Sequence, residues 1–329
     1  MSRKITEMPK FYHFANVSQG NKMYDIIPDI HGQAGKLRSA LSSLGYEQKN
    51  GAWRHTDPKR TCVFLGDFID RGPDNEAVID IVRCMVDAGT AYAIMGNHEL
   101  NAVHFHTKDP KSGEPARAHS AKNLKQHASF LQEFPLEAPR TTEVISWMMT
   151  LPLFIEFDAF RIVHACWNEA VIGELLKITK NGRLTDEQFL SAANKKSQLF
   201  SLVETTTKGP EATLPDDHVI YDKEGQGRSE VRLQWWNGTA STWKEIATSV
   251  PNLDQLPDSN LPASIKQSVY PPNSKPVFFG HYWMTGKPVL QTNNALCLDY
   301  SAGREGPLVS YQFDPVTTLL DLKNITIHS

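Results

Sequence analysis

The chain has 329 residues, of which 40% are apolar and 22% are charged, and its formal net charge is −3. This length is enough for one large domain or two small ones, and the small net charge gives no electrostatic case for a nucleic-acid partner. The four cysteines are far apart, so their spacing excludes a zinc ribbon and does not suggest a disulfide framework.

Residues 1–22 form a polar leader that lacks the apolar core of a signal peptide. No uninterrupted apolar run approaches the ~18 residues of a membrane span. We therefore expect a protein of the cytoplasm that has no membrane partner.

From Tyr24 onwards, apolar runs that fit strands alternate with amphipathic runs that fit helices. The predicted strands of this first part lie at 24–27, 61–65 and 91–95. A helix is expected at 33–44, and a second begins after Pro73 and ends at Gly89. Such alternation favours an α/β sheet in which bound ligands gather at the carboxyl ends of the strands.

Two polar segments interrupt this pattern, at about 101–140 and 205–275, and we interpret both as insertions into a single domain that covers residues 1–329. The first insertion is rich in histidine, and we interpret these side chains as solvated rather than as a further metal site. They are His104, His106, His119 and His127. The second insertion is expected to be a cap, in which the pair Trp235-Trp236 is core rather than a base-stacking platform.

Regular structure is expected to resume between and after the insertions. A hairpin is predicted from 153–157 and 160–164, joined at Asp158-Ala159. A helical stretch is expected at 186–203. Closing strands are predicted at 276–279, 288–291, 295–298 and 308–313.

Polar clusters follow each of the first three predicted strands directly. They are Asp29-Ile30-His31-Gly32, Gly66-Asp67-Phe68-Ile69-Asp70-Arg71-Gly72 and Gly96-Asn97-His98-Glu99. Two further histidines, His164 and His281, follow later predicted strands. The resulting set of nitrogen and oxygen donors suits Mn, Fe, Zn or Co and is too rich in nitrogen for calcium.

Taken in order, these clusters resemble the motifs of the calcineurin-like metallophosphoesterase superfamily, and most of all its phosphoprotein phosphatase-like branch. That branch includes bacterial serine/threonine phosphatases and diadenosine tetraphosphatases, and its pattern is D-x-H-G, G-D-x-x-D-R-G, G-N-H-E, H-[AG] and G-H. The pattern is met here at 29–32, 66–72, 96–99, 164–165 and 280–281, so the resemblance covers most of the chain. A capped turn or a surface ion pair explains any one motif, but not all five in order.

The resemblance implies a fold and a metal centre. The fold would be an α/β sandwich of two mixed β-sheets flanked by helices. Asp29, His31 and Asp67 would hold a first metal ion, and Asp67 would bridge to a second. The second ion would also be held by Asn97, His164 and His281. We expect two divalent ions per chain, Mn²⁺ in the first place, with Fe, Zn, Co or Ni as alternatives.

The resemblance also implies which residues act on the phosphate. His98 would be the general acid, oriented by Asp70, and Arg71 would bind the phosphoryl oxygens. The family has a second phosphate-binding arginine between the last two histidines, and there Arg228 and Arg232 are both candidates.

The implied function is hydrolysis of a phosphate ester by a dinuclear metal centre. The expected enzyme is a phosphoprotein phosphatase-like phosphomonoesterase, while a dinucleoside polyphosphate hydrolase and a phosphodiesterase or cyclic nucleotide hydrolase stay open. The substrate would be a phosphoprotein or a nucleotide-type molecule, and the sequence leaves the oligomeric state open. Trp167 and Trp283 stand beside the last two motifs, where they could narrow the site or offer a stacking surface. A non-enzymatic alternative is a binding module that keeps this fold without the chemistry.

Overall fold

The computed structural model describes residues 22–221, 225–317 and 319–328, so the expected leader lies outside the described residues apart from residue 22. Its strands are β1 (Met23–Ile27), β2 (Tyr46–Lys49), β3 (Ala52–His55), β4 (Arg60–Phe64), β5 (Ala91–Ala93), β6 (Phe154–Glu156), β7 (Arg161–Val163), β8 (Glu211–Thr213), β9 (Ile220–Tyr221), β10 (Gly227–Arg228), β11 (Glu230–Leu233), β12 (Ala247–Thr248), β13 (Val277–Phe279), β14 (Ala295–Cys297), β15 (Leu308–Phe313) and β16 (Ile325–His328).

The α-helices of the same residues are α1 (Ala34–Ser43), α2 (Asn75–Asp87), α3 (Asn97–His106), α4 (Ala121–Gln126), α5 (Ala128–Glu133), α6 (Pro139–Met148), α7 (Glu169–Ile178), α8 (Asp186–Ala193), α9 (Gln198–Lys208), α10 (Trp243–Ile246) and α11 (Ala263–Gln267). Two short 3₁₀ helices cover Leu253–Gln255 and Leu322–Asn324. None of the described helices is long and apolar enough to cross a membrane.

Five strands form one sheet in the order β16-β15-β1-β4-β5. β1, β4 and β5 run parallel, with Ile26 opposite Val63 and Val63 opposite Tyr92, whereas β15 is antiparallel to both of its neighbours, β1 and β16. Burial on both faces explains why β1 and β4 are almost continuous apolar runs in the sequence.

Four strands form a second sheet in the order β14-β13-β7-β6, in which all but β6 are parallel. The two sheets pack face to face through aromatic side chains. The ring of Tyr24 lies 4.9 Å from that of Phe160, and the ring of Phe278 lies 5.1 Å from that of Tyr311. Full burial of one such side chain stabilises the fold by ~1.5–3 kcal/mol. The predicted sandwich of two mixed sheets is confirmed.

Helices cover the outer face of the first sheet. In α2 the side chains of Val78, Val82 and Met85 are fully buried, which is the spacing of one helical face. From α1, Leu37 and Leu41 join the same hydrophobic cluster. The parallel strands are therefore enclosed on both sides, and their carboxyl ends carry the polar loops.

Most predicted elements of the sandwich are found within one or two residues of their expected bounds, including the β6–β7 hairpin. The expected helical stretch at 186–203 is instead two helices, α8 and α9, because Ser197 starts a new helix by accepting a hydrogen bond from the N–H of Leu199 at 3.1 Å. The predicted strand at 288–291 is wrong. The N–H of Val289 donates to the hydroxyl of Tyr300 at 3.0 Å and not to a neighbouring strand.

The two segments interpreted as insertions have different environments. In 101–140, His104 and His127 are 7% and 5% exposed, so the interpretation of these histidines as solvated is wrong for both. In 205–275, a small apolar cluster forms around Trp243 and β11. Trp235 and Trp236 are buried against Phe279, so they are core residues rather than a base-stacking platform, but they belong to the main core and not to the core of the cap as expected. The single-domain boundaries stay a prediction.

Candidate metal centre

The parallel strands of both sheets end in the polar residues of one site. In the first sheet, β1 is followed by Asp29 and His31, β4 by Asp67, and β5 by Asn97. In the second sheet, β7 is followed by His164, β13 by His281, and β14 by Asp299. Hydrogen bonds join the strand ends across the two sheets, since Nδ1 of His164 donates to the Leu65 carbonyl at 2.8 Å. The convergence that the sequence predicted for the first three strands extends to all six.

The backbone bends sharply where these side chains turn into the site. His31, Asp67 and His281 have φ values of 51°, 52° and 75°, in the left-handed region that costs a non-glycine residue ~1–3 kcal/mol. Close approach also requires glycine, because a Cβ at Gly96 would collide with Asp67 and one at Gly280 would collide with the Asp29 carboxylate. Strain and tight packing of this kind are concentrated at functional sites.

One group of donors surrounds His31. Its Nε2 lies 3.9 Å from Oδ2 of Asp29 and 3.7 Å from Oδ2 of Asp67, and all three side chains are buried. Nδ1 of His31 donates to the Ile69 carbonyl at 2.9 Å, which leaves the lone pair of Nε2 turned toward the carboxylates. This Nε2 is buried without a hydrogen-bond partner among the described residues. Such an orphaned atom costs ~1–3 kcal/mol unless a ligand satisfies it.

A second group surrounds Asn97. Its Oδ1 lies 3.1 Å from Nε2 of His164 and 2.7 Å from Nδ1 of His281, and Nε2 of His164 lies 3.4 Å from Oδ1 of Asp67. Donors that share an ion at about 2.1 Å are separated by roughly 3 to 3.4 Å, so these spacings fit the edges of a coordination shell. The residues present therefore fit two metal ions, with Asp67 common to both groups.

The charges of the site also favour a cation. Burial and the neighbouring carboxylate of Asp299 raise the pKa of Asp29 well above its usual value. Burial lowers the pKa of His31 to about 3, which keeps it a neutral ligand. Burial lowers the pKa of His164 as well, but the adjacent Asp67 carboxylate outweighs it and raises that pKa to about 10. A cation bound there would release this proton, because only a neutral imidazole is a metal ligand.

His98 is placed between the metal ligands and a separate carboxylate. Its Nδ1 lies 2.5 Å from Oδ2 of Asp70, and its Nε2 lies 4.0 Å from Oδ2 of Asp67. Burial lowers the pKa of His98, but the Asp67 charge and the bond to Asp70 outweigh it and raise the pKa above its usual value. Protonated and directed into the site, His98 can deliver a proton. His98 is also close enough to His31 and Asp67 for the three to hold an ion, so metal content must separate the two roles.

Three residues of the site were not recognised in the sequence. Glu99 accepts hydrogen bonds from the N–H groups of Asp67 at 2.8 Å and Phe68 at 2.8 Å, and so ties the second cluster to the third. Asp299 accepts from the N–H groups of Trp283 and Ser301. The third is His127, which contacts Asp70. Asp299 could have been found, because it follows a predicted strand directly, as Asp29 and Asp67 do.

The candidate phosphate-binding arginines occupy different places. The guanidinium carbon of Arg71 lies 3.9 Å from the centroid of the Trp283 ring, beside the metal ligands. Arg232 is partly buried and lies 3.7 Å from Glu211. The pKa of His281 is lowered first by its own burial and then by the charge of Arg232. Arg228 and Arg232 both line a cavity of about 240 Å³. The effect of its charge on His281 makes Arg232 the better candidate of the two.

Residues 24–282 match the family described as calcineurin-like phosphoesterase, a span that contains all six predicted metal ligands. The bis(5'-nucleosyl)-tetraphosphatase PrpE [asymmetrical] of Oceanobacillus iheyensis is 47% identical over 74 residues, which are 22% of this chain and 29% of that protein. PrpE of Bacillus subtilis is 41% identical over 174 residues, which are 50% of this chain and 68% of that protein. The chain thus spans less than a third of the length of the first of these relatives.

Solved structures with a similar course of the chain include protein phosphatases. The cold-active protein-tyrosine phosphatase of a psychrophilic Shewanella species is 16% identical, with 94% of this chain and 81% of that chain covered and a TM-score of 0.47. A protein serine/threonine phosphatase from Saccharomyces cerevisiae is 13% identical, with 95% and 81% covered and a TM-score of 0.48.

Proposed function

The chain belongs to the calcineurin-like phosphoesterase family, and from this premise we propose that it hydrolyses phosphate esters with two divalent metal ions. The observation that carries the proposal is the convergence of six buried donor side chains, around Asp67, next to the hydrogen-bonded pair His98–Asp70. A binding module without catalysis would have no need of that second pair. We propose Mn²⁺ as the metal and the cytoplasm as the location.

The residues of the chain divide the work in this proposal. When bound, the two ions would activate a water molecule for attack on phosphorus and neutralise charge on the phosphoryl oxygens. His98 would donate the proton of Nε2 to the departing alkoxide, with its Nδ1–H held by Asp70. Arg71 would bind the phosphoryl oxygens with its planar guanidinium and stabilise the charge that develops in the transition state.

The substrate is first proposed to be a phosphomonoester, such as a phosphoprotein. The test incubates the purified protein with Mn²⁺ and four substrates: p-nitrophenyl phosphate, a phosphopeptide, diadenosine tetraphosphate and a cyclic nucleotide. Turnover of the first two above the others supports a phosphomonoesterase. Turnover of none of them, in protein shown by elemental analysis to carry two ions, contradicts the enzymatic proposal and supports the binding module.

A second candidate, hydrolysis of a dinucleoside polyphosphate, is supported by a second arginine beside the first. The guanidinium carbon of Arg304 lies 5.0 Å from the centroid of the Trp283 ring that Arg71 also contacts. Neither guanidinium makes a hydrogen bond or an ion pair with a described residue. Two positive charges that lack an acidic partner, next to the candidate metal centre, suit a substrate with more than one phosphoryl group.

The loop that carries Arg304 is held in place by the rest of the fold. Nζ of Lys36 donates to the carbonyls of Ala302, Arg304 and Gly306 at 2.8, 3.0 and 2.8 Å. A Cβ at Gly303 would collide with the ring of His31, so the loop lies directly against the metal ligands. The position of the second arginine relative to the site is therefore fixed by the backbone.

The two substrate classes are separated by the variant Arg304→Gln. The second candidate predicts that kcat/KM for diadenosine tetraphosphate falls about tenfold relative to kcat/KM for p-nitrophenyl phosphate, the value of one charge-assisted contact. Arg38→Gln, an exposed arginine on α1, is the matched control. An equal change for both substrates argues against a second phosphate subsite and leaves the phosphomonoesterase.

A further inference from the structure

The carboxylate of Asp70 is held by two imidazoles, one on each oxygen. Oδ2 lies 2.5 Å from Nδ1 of His98, and Oδ1 lies 2.7 Å from Nδ1 of His127. Asp70 and His127 are 3% and 5% exposed, so water does not compete freely for either oxygen. The order His98–Asp70–His127 is thus a continuous line of hydrogen bonds that begins at the candidate general acid.

His127 is fixed by its surroundings. It stands at the junction of α4 and α5, where its ring stacks on Phe130 at 4.6 Å and meets Phe105 at 5.2 Å. Its Nε2 lies 3.2 Å from Nε2 of His106. The two ring nitrogens of His127 thus face two different partners, Asp70 at Nδ1 and His106 at Nε2. These contacts specify the orientation of the ring.

Asp70 would be poorly constrained without this second donor. Its backbone has φ 69°, and its N–H donates to Oδ1 of Asn75 at 2.6 Å, which fixes the main chain but not the rotation of the carboxylate. Loss of the bond from His127 would leave Oδ1 of Asp70 buried without a hydrogen-bond donor, which is unfavourable. Rotation of the carboxylate toward another donor would then take Oδ2 away from His98.

We propose that His127 is a positioning residue that holds Asp70 in the orientation in which it directs the Nε2 proton of His98 at the leaving group. This inference rests on the proposed function, because it concerns the efficiency of the general acid. Substitution of a residue that orients a functional side chain through a hydrogen bond typically lowers activity by about 10- to 100-fold. The role falls to a residue of the segment 101–140, whose histidines the sequence analysis interpreted as solvated.

The test uses the dependence of the reaction on the leaving group. Phenyl phosphate needs a proton on its departing oxygen, whereas p-nitrophenyl phosphate releases a stable phenolate and depends on it far less. His127→Phe keeps the stack on Phe130 but removes the donor. We expect kcat for phenyl phosphate to fall about tenfold more than kcat for p-nitrophenyl phosphate in the same preparation. The ratio does not depend on the fraction of folded protein.

Two further variants complete the test. His127→Asn can present an amide N–H where Nδ1 stood, so it should restore most of the phenyl phosphate rate. His119→Phe changes a neighbouring histidine that stacks on Phe105 and donates to its carbonyl without reaching Asp70, and it should leave the ratio of the two rates as it was.

The outcomes separate this inference from the proposed function. Equal losses on both substrates in His127→Phe, without recovery in His127→Asn, would overturn the positioning role while hydrolysis itself stands. A change of the phenyl phosphate to p-nitrophenyl phosphate ratio in His119→Phe as large as that in His127→Phe would also overturn the positioning role. If the unsubstituted protein with its metal ions turns over neither ester, the proposed function fails first.

Discussion

The guanidinium of Arg71 lies 3.9 Å above the ring of Trp283, and the ring of His31 lies 5.4 Å from the same indole. An aromatic side chain thus stands between the candidate phosphate-binding arginine and a candidate metal ligand. A cation over an indole face is stabilised by about 0.5–2 kcal/mol, and the contact restricts the rotamers of a long side chain that faces solvent. Trp283 therefore limits the positions that Arg71 can adopt.

Replacing Trp283 should weaken substrate binding more than it slows the chemical step. Trp283→Leu removes the aromatic face, and we expect KM for p-nitrophenyl phosphate to rise about 3- to 30-fold, in line with the loss of one cation–π contact. Trp283→Phe keeps a smaller aromatic face, so its KM should lie between those of the unsubstituted protein and Trp283→Leu. Steady-state kinetics with metal-loaded protein measures KM and kcat separately. A KM that stays the same in the leucine variant would show that Arg71 needs no aromatic support.

The role of His98 is tested by separating turnover from metal content. His98→Asn removes the proton donor, and we expect turnover of phenyl phosphate to fall about 10²–10⁴-fold with both ions retained. Elemental analysis of protein purified without chelators gives the metal content. Asp67→Asn is the companion variant, because loss of the shared carboxylate should reduce the bound metal itself. A loss of metal in His98→Asn would instead make His98 a ligand.

The strand-end clusters could be predicted because each consists of adjacent residues that follow an apolar run. Asp29, His31 and Asn97 are of this kind, and parallel strands must bring them to one edge. The bond between His127 and Asp70 could not be predicted, since it joins residues 57 positions apart through a segment with no clear period. The second sheet brings His164 and His281 to the same edge by a crossover that the sequence pattern does not encode.

The false strand at 288–291 has a similar origin. Val289 and Leu290 form a short apolar run that resembles a strand, but Val289 is half-exposed and its N–H is satisfied by the Tyr300 hydroxyl. A side-chain acceptor supplied by tertiary structure replaces the strand partner, and no local pattern reports it.

Glu99 should contribute to stability more than to chemistry. Its carboxylate accepts from three backbone N–H groups, those of Asp67, Phe68 and Gly96. Glu99→Ala leaves three buried donors without a partner, each worth ~1–3 kcal/mol, so the free energy of unfolding should fall by several kcal/mol. Urea denaturation of the metal-free protein measures this without a contribution from bound ions. Glu99→Gln keeps one of the two acceptor oxygens, so its free energy of unfolding should fall less than that of Glu99→Ala.

Acid should destabilise the fold through His104, which lies away from the metal ligands. This side chain is 7% exposed, packs 6.4 Å from the Phe189 ring, and burial lowers its pKa to about 4. An unfolded histidine titrates near 6.5, so between about pH 6.5 and pH 4 the unfolded chain binds a proton that the folded chain excludes. The free energy of unfolding should therefore fall across this window by about 2–3 kcal/mol on account of His104.

The variant His104→Phe isolates that contribution. It removes the titrating group and keeps an aromatic ring of similar size, so its unfolding free energy should decline less than that of the unsubstituted protein between pH 7 and pH 5. Denaturant titrations of both proteins at the two pH values give the four free energies of unfolding that are required. Parallel decline in His104→Phe and the unsubstituted protein would show that the acid sensitivity arises elsewhere.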